Sequence, residues 1–161
     1  MDNNFYTKKV IEHFQNPHNY GEIKNPDGVG KVGNIYCGDV MYFYIKIGKN
    51  KNNEEIIKDA SFETFGCVAA ISSTSMLTEL VKGKTLKEAL KITENELVRA
   101  LGGLPPIKFH CAVLGIDALS EAIYDYLSKN KKSIPDFLQK RHQRIEREKR
   151  EIEKKYKDLI K

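Results

Sequence analysis

From Met41 to Ile47 apolar and polar side chains alternate, with Met41, Phe43, Ile45 and Ile47 on one side and Tyr42, Tyr44 and Lys46 on the other. A period of two predicts a half-buried strand. The polar turn Gly48–Asn53 leads into a second run, Ile56 to Phe65, and the pair reads as an antiparallel hairpin. Val32 to Tyr36 is a candidate third strand, preceded by a stretch from Asn25 to Gly33 whose Gly, Pro, Asn and Asp read as loop.

Elsewhere the period is helical. Residues 4–15 place Val10, Ile11 and Phe14 on one face, and Asn16-Pro17-His18-Asn19-Tyr20-Gly21 ends that helix. Ala69 to Val81 has Ala70, Met76, Leu77, Leu80 and Val81 as its core side, with Gly83 as terminator. Thr85-x-x-Glu88 and Thr93-x-x-Glu96 are successive capping boxes that start two short helices, and Gly102-Gly103 stops the second. Leu104-Pro105-Pro106 is a stiff extended link. A last body helix runs from about Phe109 to Leu127 through Val113, Leu114, Leu119, Ile123 and Leu127. Strands first and helices after predict an α+β fold: a small antiparallel sheet of about three strands with helices packed on one face, plus a C-terminal helical extension.

The 161 residues, 40% hydrophobic and 30% charged, suffice for one domain with an appendage and need no disulfide staple. The composition is too apolar for disorder, and no apolar run approaches the ~20 residues of a membrane span. The amphipathic N-terminus lacks the apolar stretch of a secretory signal, so a cytoplasmic location is expected. The net charge of +5 is unevenly placed. Residues 1–128 carry 14 basic and 16 acidic side chains, whereas 129–161 carry 13 and 6. A basic tail (129–161) thus follows a slightly acidic domain (1–128), and an electrostatic case for nucleic acid applies to the tail alone. The tail reads as a helix starting at Ser133-Ile134-Pro135-Asp136, with Leu138, Ile145, Ile152 and Leu159 recurring at seven and His142 and Lys149 on the other seam positions. Glu146–Arg150, Glu151–Lys155 and Glu153–Lys157 have the spacing of favourable pairs, each worth about 0.3–0.5 kcal/mol. The narrow apolar stripe favours a solvated helix docked on its own domain or a partner over one that binds nucleic acid.

Three cysteines are an odd number, and no CxxC occurs. Spacing alone leaves open that they are small buried apolar residues. Their placement favours chemistry. Cys37 lies in a loop beside Gly38 ahead of the strand, while Cys67, after Gly66, and Cys111 each fall on the first turn of a helix, where free N–H groups favour a thiolate. Lys108 and His110 are placed to lower the thiol pKa further, and Asp39 and His110 are spare ligands next to cysteines. Three thiolates with one Asp or His suit tetrahedral zinc or a [2Fe–2S] cluster with one weaker, non-cysteine ligand.

Those residues carry a resemblance. Gly33-Asn34-Ile35-Tyr36-Cys37-Gly38-Asp39-Val40-Met41, the segment 62–84 around Gly66-Cys67, and the segment 102–123 around Leu104-Pro105-Pro106-Ile107-Lys108-Phe109-His110-Cys111 resemble the iron–sulfur scaffold family of IscU and the NifU N-terminal domain. The likeness spans roughly residues 4–128. It implies a scaffold, without turnover of its own, that builds a labile [2Fe–2S] cluster from iron and the persulfide sulfur of a cysteine desulfurase and passes it to apo-proteins. It implies that Cys37, Cys67 and Cys111 are cluster cysteines, Asp39 the family's aspartate and His110 its optional ligand. Cys111 is implied as persulfide acceptor, and Leu104–Lys108 resembles the segment grasped by an Hsp70-type chaperone. A homodimer around a cluster is a further expectation.

Two other readings stay open on the residues. A zinc-bound sulfur acceptor of the SufU type is disfavoured because that subfamily's long insertion is absent between Cys67 and His110. A Cys/His thiol enzyme is disfavoured because neighbouring helical side chains point about 100° apart, which sets His110 poorly as a base for Cys111.

Overall fold

The computed structural model describes residues 5–33 and 39–160. Its sheet has three antiparallel strands in the order β1 (Gly28–Gly33), β2 (Val40–Lys49) and β3 (Glu55–Thr64). The hairpin of β2 and β3 stands where the alternation set it. Met41, Phe43 and Ile45 are fully buried, and Ile47 is half-buried against the core. Tyr44, expected on the open face, is also buried, and its hydroxyl donates to Glu63 at 2.9 Å. The ladder shifts register between Lys46 and Ile47, so that Lys46 faces Asp59 while Ile47 faces Ile57, leaving Lys58 as the bulged residue.

β1 corrects the reading of Asn25–Gly33 as loop. A strand occupies Gly28–Gly33, and Asn34–Tyr36, the rest of the expected strand, lie outside the described residues. The glycines serve packing rather than turning. A Cβ on Gly30 would lie 2.0 Å from the carbonyl oxygen of Ala118, and one on Gly28 2.3 Å from that of Ala122. Helix α5 (Phe109–Lys129) therefore rests its backbone directly on β1. Its Asp125 carboxylate also accepts the Val29 N–H at 2.9 Å.

Six α-helices complete the described residues. α1 (Lys8–Gln15) packs on α2 (Val68–Val81); α2 lies against β3; α5 (Phe109–Lys129) crosses β1 and β2 and packs on α2. Between them come α3 (Leu86–Leu90), α4 (Glu94–Ala100) and a 3-10 turn at Pro106–Lys108. Thr85 and Thr93 accept the N–H groups of Glu88 and Glu96, each at 3.2 Å, as the capping boxes required. Gly102 and Gly103 take φ of +78° and +118°, the left-handed backbone that ends α4.

Two helices differ from their patterns. α2 is covered on nearly every side, with Ser72 through Thr78 all buried. Its hydroxyls make this possible: Ser73 donates to Ala69 O at 2.6 Å, and Ser72 donates to Val10 O at 2.7 Å. On α1, Ile11 and Phe14 are 36% and 38% exposed, and His13 takes the inward position beside Val10. Thr7 sets this roll by accepting the Val10 N–H and donating to Leu101 O at 2.6 Å. Burial and the nearby His18 hold the His13 imidazole below its usual pKa.

The tail is one helix, α6 (Asp136–Ile160), laid on α5 and the edge of β1. Leu138 and Ile145 are buried and Ile152 half-buried, as the stripe predicted. The polar seam residue His142 is explained by the buried Glu121 carboxylate 2.9 Å away. Arg144 meets buried Asp117 at 2.8 Å, and Arg141 donates to Ser120 at 2.7 Å. Burial raises the pKa of Asp117 and Glu121 against the pull of these partners. Along the helix Glu146 pairs with Lys149 at 3.5 Å and Arg144 with Glu148 at 3.1 Å, rather than Glu146 with Arg150. Among the described residues no helix is long and apolar enough to cross a membrane.

Candidate metal centre

The site forms where the start of β2 meets the first turns of α2 and α5. Asp39 immediately precedes β2 and is 8% exposed. Thr64, the last residue of β3, donates its hydroxyl to Val40 O at 2.7 Å and accepts the Gly66 N–H at 3.0 Å. This clamp folds the chain over the head of β2 and sets Cys67 beside Asp39. Gly66 must be small there: a Cβ would lie 2.7 Å from Ala70 Cβ and 3.1 Å from Asp39 Oδ2. Cys67 is the N-cap of α2, and Cys111 sits in the first turn of α5 directly behind it. Their Sγ atoms are 3.4 Å apart. One ligand atom from each of Asp39, Cys67 and Cys111 lies within 4.8 Å of the others.

The electrostatics make Cys67 the first thiolate. Its pKa is pushed down to about 5, chiefly by the hydrogen bond from Cys111, then by the backbone N–H groups of Ala70 and Ala69 and by the Lys108 ammonium, with burial opposing. Lys108 is correspondingly raised, with Cys67 as the main cause. Tyr6 is raised by burial and by the two sulfurs, against Lys108. Asp39 Oδ2 is a buried carboxylate oxygen with no hydrogen-bond partner among the described residues. An orphaned anionic acceptor beside a thiolate is costly in a protein alone, and a bound cation relieves it.

Of the five residues singled out from the sequence, Asp39, Cys67 and Cys111 come together, and Cys37 lies outside the described residues. His110 corrects one expectation. Its ring folds back so that Nε2 is 3.5 Å from Cys111 Sγ, within reach despite the adjacent positions. Tyr6 is not marked out by the sequence, and Gly66 stands out there only as the neighbour of Cys67, without its packing role. Tyr6 is some sixty residues from Cys67, and no local pattern ties them; the signal for Gly66 is its place between the strand end and the capping cysteine. Both thiols are also preceded by exposed apolar side chains: Phe65 is 90% exposed and Ile107 70%.

Sequence and structure comparisons agree on what this chain is similar to. The profile described as the NifU-like N terminal domain matches residues 5–133. The chain is 55% identical over 127 residues to the iron–sulfur cluster assembly scaffold protein IscU 1 of Archaeoglobus fulgidus, covering 79% of this chain and 80% of that one. It is 49% identical over 127 residues to the scaffold protein IscU of Escherichia coli K12, covering 77% and 95%. The fold also matches the crystal structure of a nitrogen-fixing NifU-like protein (N-terminal) from Brucella abortus, with a TM-score of 0.57, 20% identity and coverage of 76% and 94%. This chain belongs to the NifU-like N-terminal domain family.

Proposed function

We propose that this chain is a scaffold for iron–sulfur cluster assembly, and that residues 1–128 do this work with 129–161 as an extension. Its substrates are ferrous iron and the sulfane sulfur of a cysteine desulfurase, an external electron donor completes the reduction of that sulfur to sulfide, and its product is a labile [2Fe–2S] cluster handed to apo-proteins. The observation that carries the reading is Asp39: it is buried, its Oδ2 has no hydrogen-bond partner among the described residues, and one of its carboxylate oxygens lies within 4.8 Å of two sulfurs, of which Cys67 is a thiolate at neutral pH. Cys37, Asp39, Cys67 and Cys111 form the ligand set, with His110 in reach of Cys111.

The order of events follows from the charges. Cys67 and Asp39 take iron first, because Cys67 is the sulfur already deprotonated. Iron then competes for the Cys67 sulfur that accepts the Cys111 proton, and its positive charge acidifies Cys111. The freed Cys111 thiolate attacks the outer sulfur of the desulfurase persulfide. The donor's S–S bond breaks, its thiolate leaves, and Cys111 carries the sulfane sulfur. Asp39 is an oxygen donor, a weaker partner for a soft cluster than a fourth thiolate, which favours release. Phe65, Ile107 and a groove of about 420 Å³ lined by Phe5, Tyr6, Leu104 and Pro105 offer apolar docking area for the desulfurase and for an Hsp70-type chaperone. The scaffold works as a cytoplasmic carrier without turnover of its own.

The test is anaerobic reconstitution with ferrous iron, cysteine, a desulfurase and a thiol reductant that supplies the electrons for sulfide. Equal iron and acid-labile sulfide with a cluster chromophore are expected, and Cys37→Ala, Cys67→Ala and Cys111→Ala should each abolish stable cluster. Uptake of one zinc with no sulfide, or cluster formation indifferent to all three cysteines, overturns the reading.

A further inference from the structure

A second group of metal-capable side chains stands far from the sulfurs. His13 projects from α1, His18 from the loop that follows it, and Glu79 from the last turns of α2; one ligand atom from each lies within 4.8 Å of the others. Glu79 is twelve residues past Cys67 on α2, ~18 Å of helix, so the group is separate from the candidate centre above.

The three side chains are held in place from several directions. His13 is 4% exposed, and its Nδ1 is 2.7 Å from Ser75 Oγ. The same oxygen accepts the backbone N–H of His18 at 2.8 Å. Outer-sphere partners of this kind orient metal-bound imidazoles. The loop is fixed as well: Asn19, at φ +59°, donates to Thr78 Oγ1 at 2.9 Å, and Gly21 N–H donates to Phe62 O at 2.8 Å. The His18 and His13 rings lie 4.5 Å apart between centroids, and His18 Nδ1 is in contact with Glu79 Oε1. On a tetrahedral ion with bonds of ~2.0 Å the ligands are about 3.3 Å apart. An ion entering the group would part the His18–Glu79 contact and draw the remaining ligand atoms inward from a spread of at most 4.8 Å, and both side chains are partly exposed and can adjust.

We infer that His13, His18 and Glu79 form a second metal site for a borderline divalent ion of the zinc and ferrous class. Two imidazoles with one carboxylate are the donor set such ions take, with water in the open position. The Ser75-centred hydrogen bonds are the prepared outer sphere. A site of N and O donors here gives this chain a metal-dependent tie between α1, its loop and α2, independent of sulfur chemistry.

The metal-free full chain is titrated with Zn2+ by calorimetry and with Co2+ by absorption. Cobalt bound by thiolates shows sulfur-to-metal charge transfer, and cobalt bound by imidazole and carboxylate does not. The expected result is one equivalent without charge transfer, weakened at least about 10–100-fold in both His18→Ala and Glu79→Gln, while any thiolate-bound equivalent is unchanged. Glu79→Gln is isosteric at an exposed position and serves where His18→Ala disturbs the loop. Ferrous iron under anaerobic conditions should occupy the same equivalent more weakly than zinc. The inference is overturned if all bound cobalt carries the thiolate signature, if both variants bind like the unchanged chain, or if Mg2+ fills the equivalent equally well. Loss of the thiolate-bound equivalent alone would bear on the scaffold reading and leave this one standing.

Discussion

The sulfurs of Cys67 and Cys111 stand 3.4 Å apart at the joined N-terminal ends of α2 and α5, and they are unequal. Cys67 is half-buried with a pKa of about 5, whereas Cys111 is fully buried and donates to it. In the metal-free protein, iodoacetamide should modify Cys67 first, with a rate rising through about pH 5 rather than the ~8.5 of a free thiol. Lys108→Ala should move that midpoint up. Mass mapping that finds Cys111 alkylated first contradicts the assignment. Because the folded pKa is depressed, the thiolate's contribution to stability is present above the unfolded thiol's pKa and fades as pH falls toward 5.

Asp39→Ala should act in two directions that share one cause. Removing a buried oxygen that lacks a partner among the described residues relieves a desolvation cost of about 1–3 kcal/mol, so the metal-free variant should melt a few degrees higher. The assembled cluster, deprived of its oxygen ligand, should persist longer when challenged with an apo-acceptor. Differential scanning calorimetry and the decay of the chromophore read the two effects. A lower Tm together with faster cluster loss would refute the role given to this carboxylate.

Gly30→Ala should be among the most damaging single-methyl changes in the chain. The new Cβ would sit 2.0 Å from a helix backbone oxygen, where no side chain can give way. Overpacking of this kind costs about 1–3 kcal/mol or more, roughly 5–10 °C in Tm. Gly33→Ala, whose nearest neighbours are at 3.6 Å and 3.7 Å, is the control and should melt close to the unchanged protein.

Glu55 ties the start of β3 to the end of α5. Its carboxylate accepts from Lys132 at 2.7 Å and from the Tyr126 hydroxyl at 2.6 Å, and these bonds, Lys132 first, lower its pKa. The contribution is therefore present above the ordinary carboxylate value and is lost as pH falls through the lowered one. Tyr126→Phe should reduce stability at pH 6 and converge with the unchanged protein in acid, well below the ordinary carboxylate range. Urea unfolding at both pH values measures it; a difference that persists in acid would assign the loss to packing instead.

The hairpin of β2 and β3, the two capping-box helices and α5 were legible because each is governed by neighbours in sequence: alternation at Met41–Ile47, and Thr85 and Thr93 each three residues before a glutamate. β1 was not, because Gly28 and Gly30 answer to a helix ninety residues away and carry the composition of a loop. The same holds for α1, where the helical period named Ile11 and Phe14 but Thr7 and Leu101 decide which side faces in. At the candidate centre the cysteines and Asp39 stood out by placement and by resemblance. Their order of ionisation did not, since it depends on the 3.4 Å contact between Cys67 and Cys111 and on Lys108 nearby. The reach of His110 back to Cys111 depends on a rotamer that position alone does not specify.

The seat of Gly30 under Ala118 has one more effect. Ala118 is seven residues along α5 from Cys111, about 10 Å of rigid helix. Gly33, at the other end of β1, pairs with Val40, the neighbour of Asp39. A glycine and a carbonyl with no chemistry of their own thus act as the gauge block for the centre, setting the gap between sulfur and carboxylate from a distance. Lifting the helix there by a methyl's width would alter the bore of the site while leaving every ligand in place.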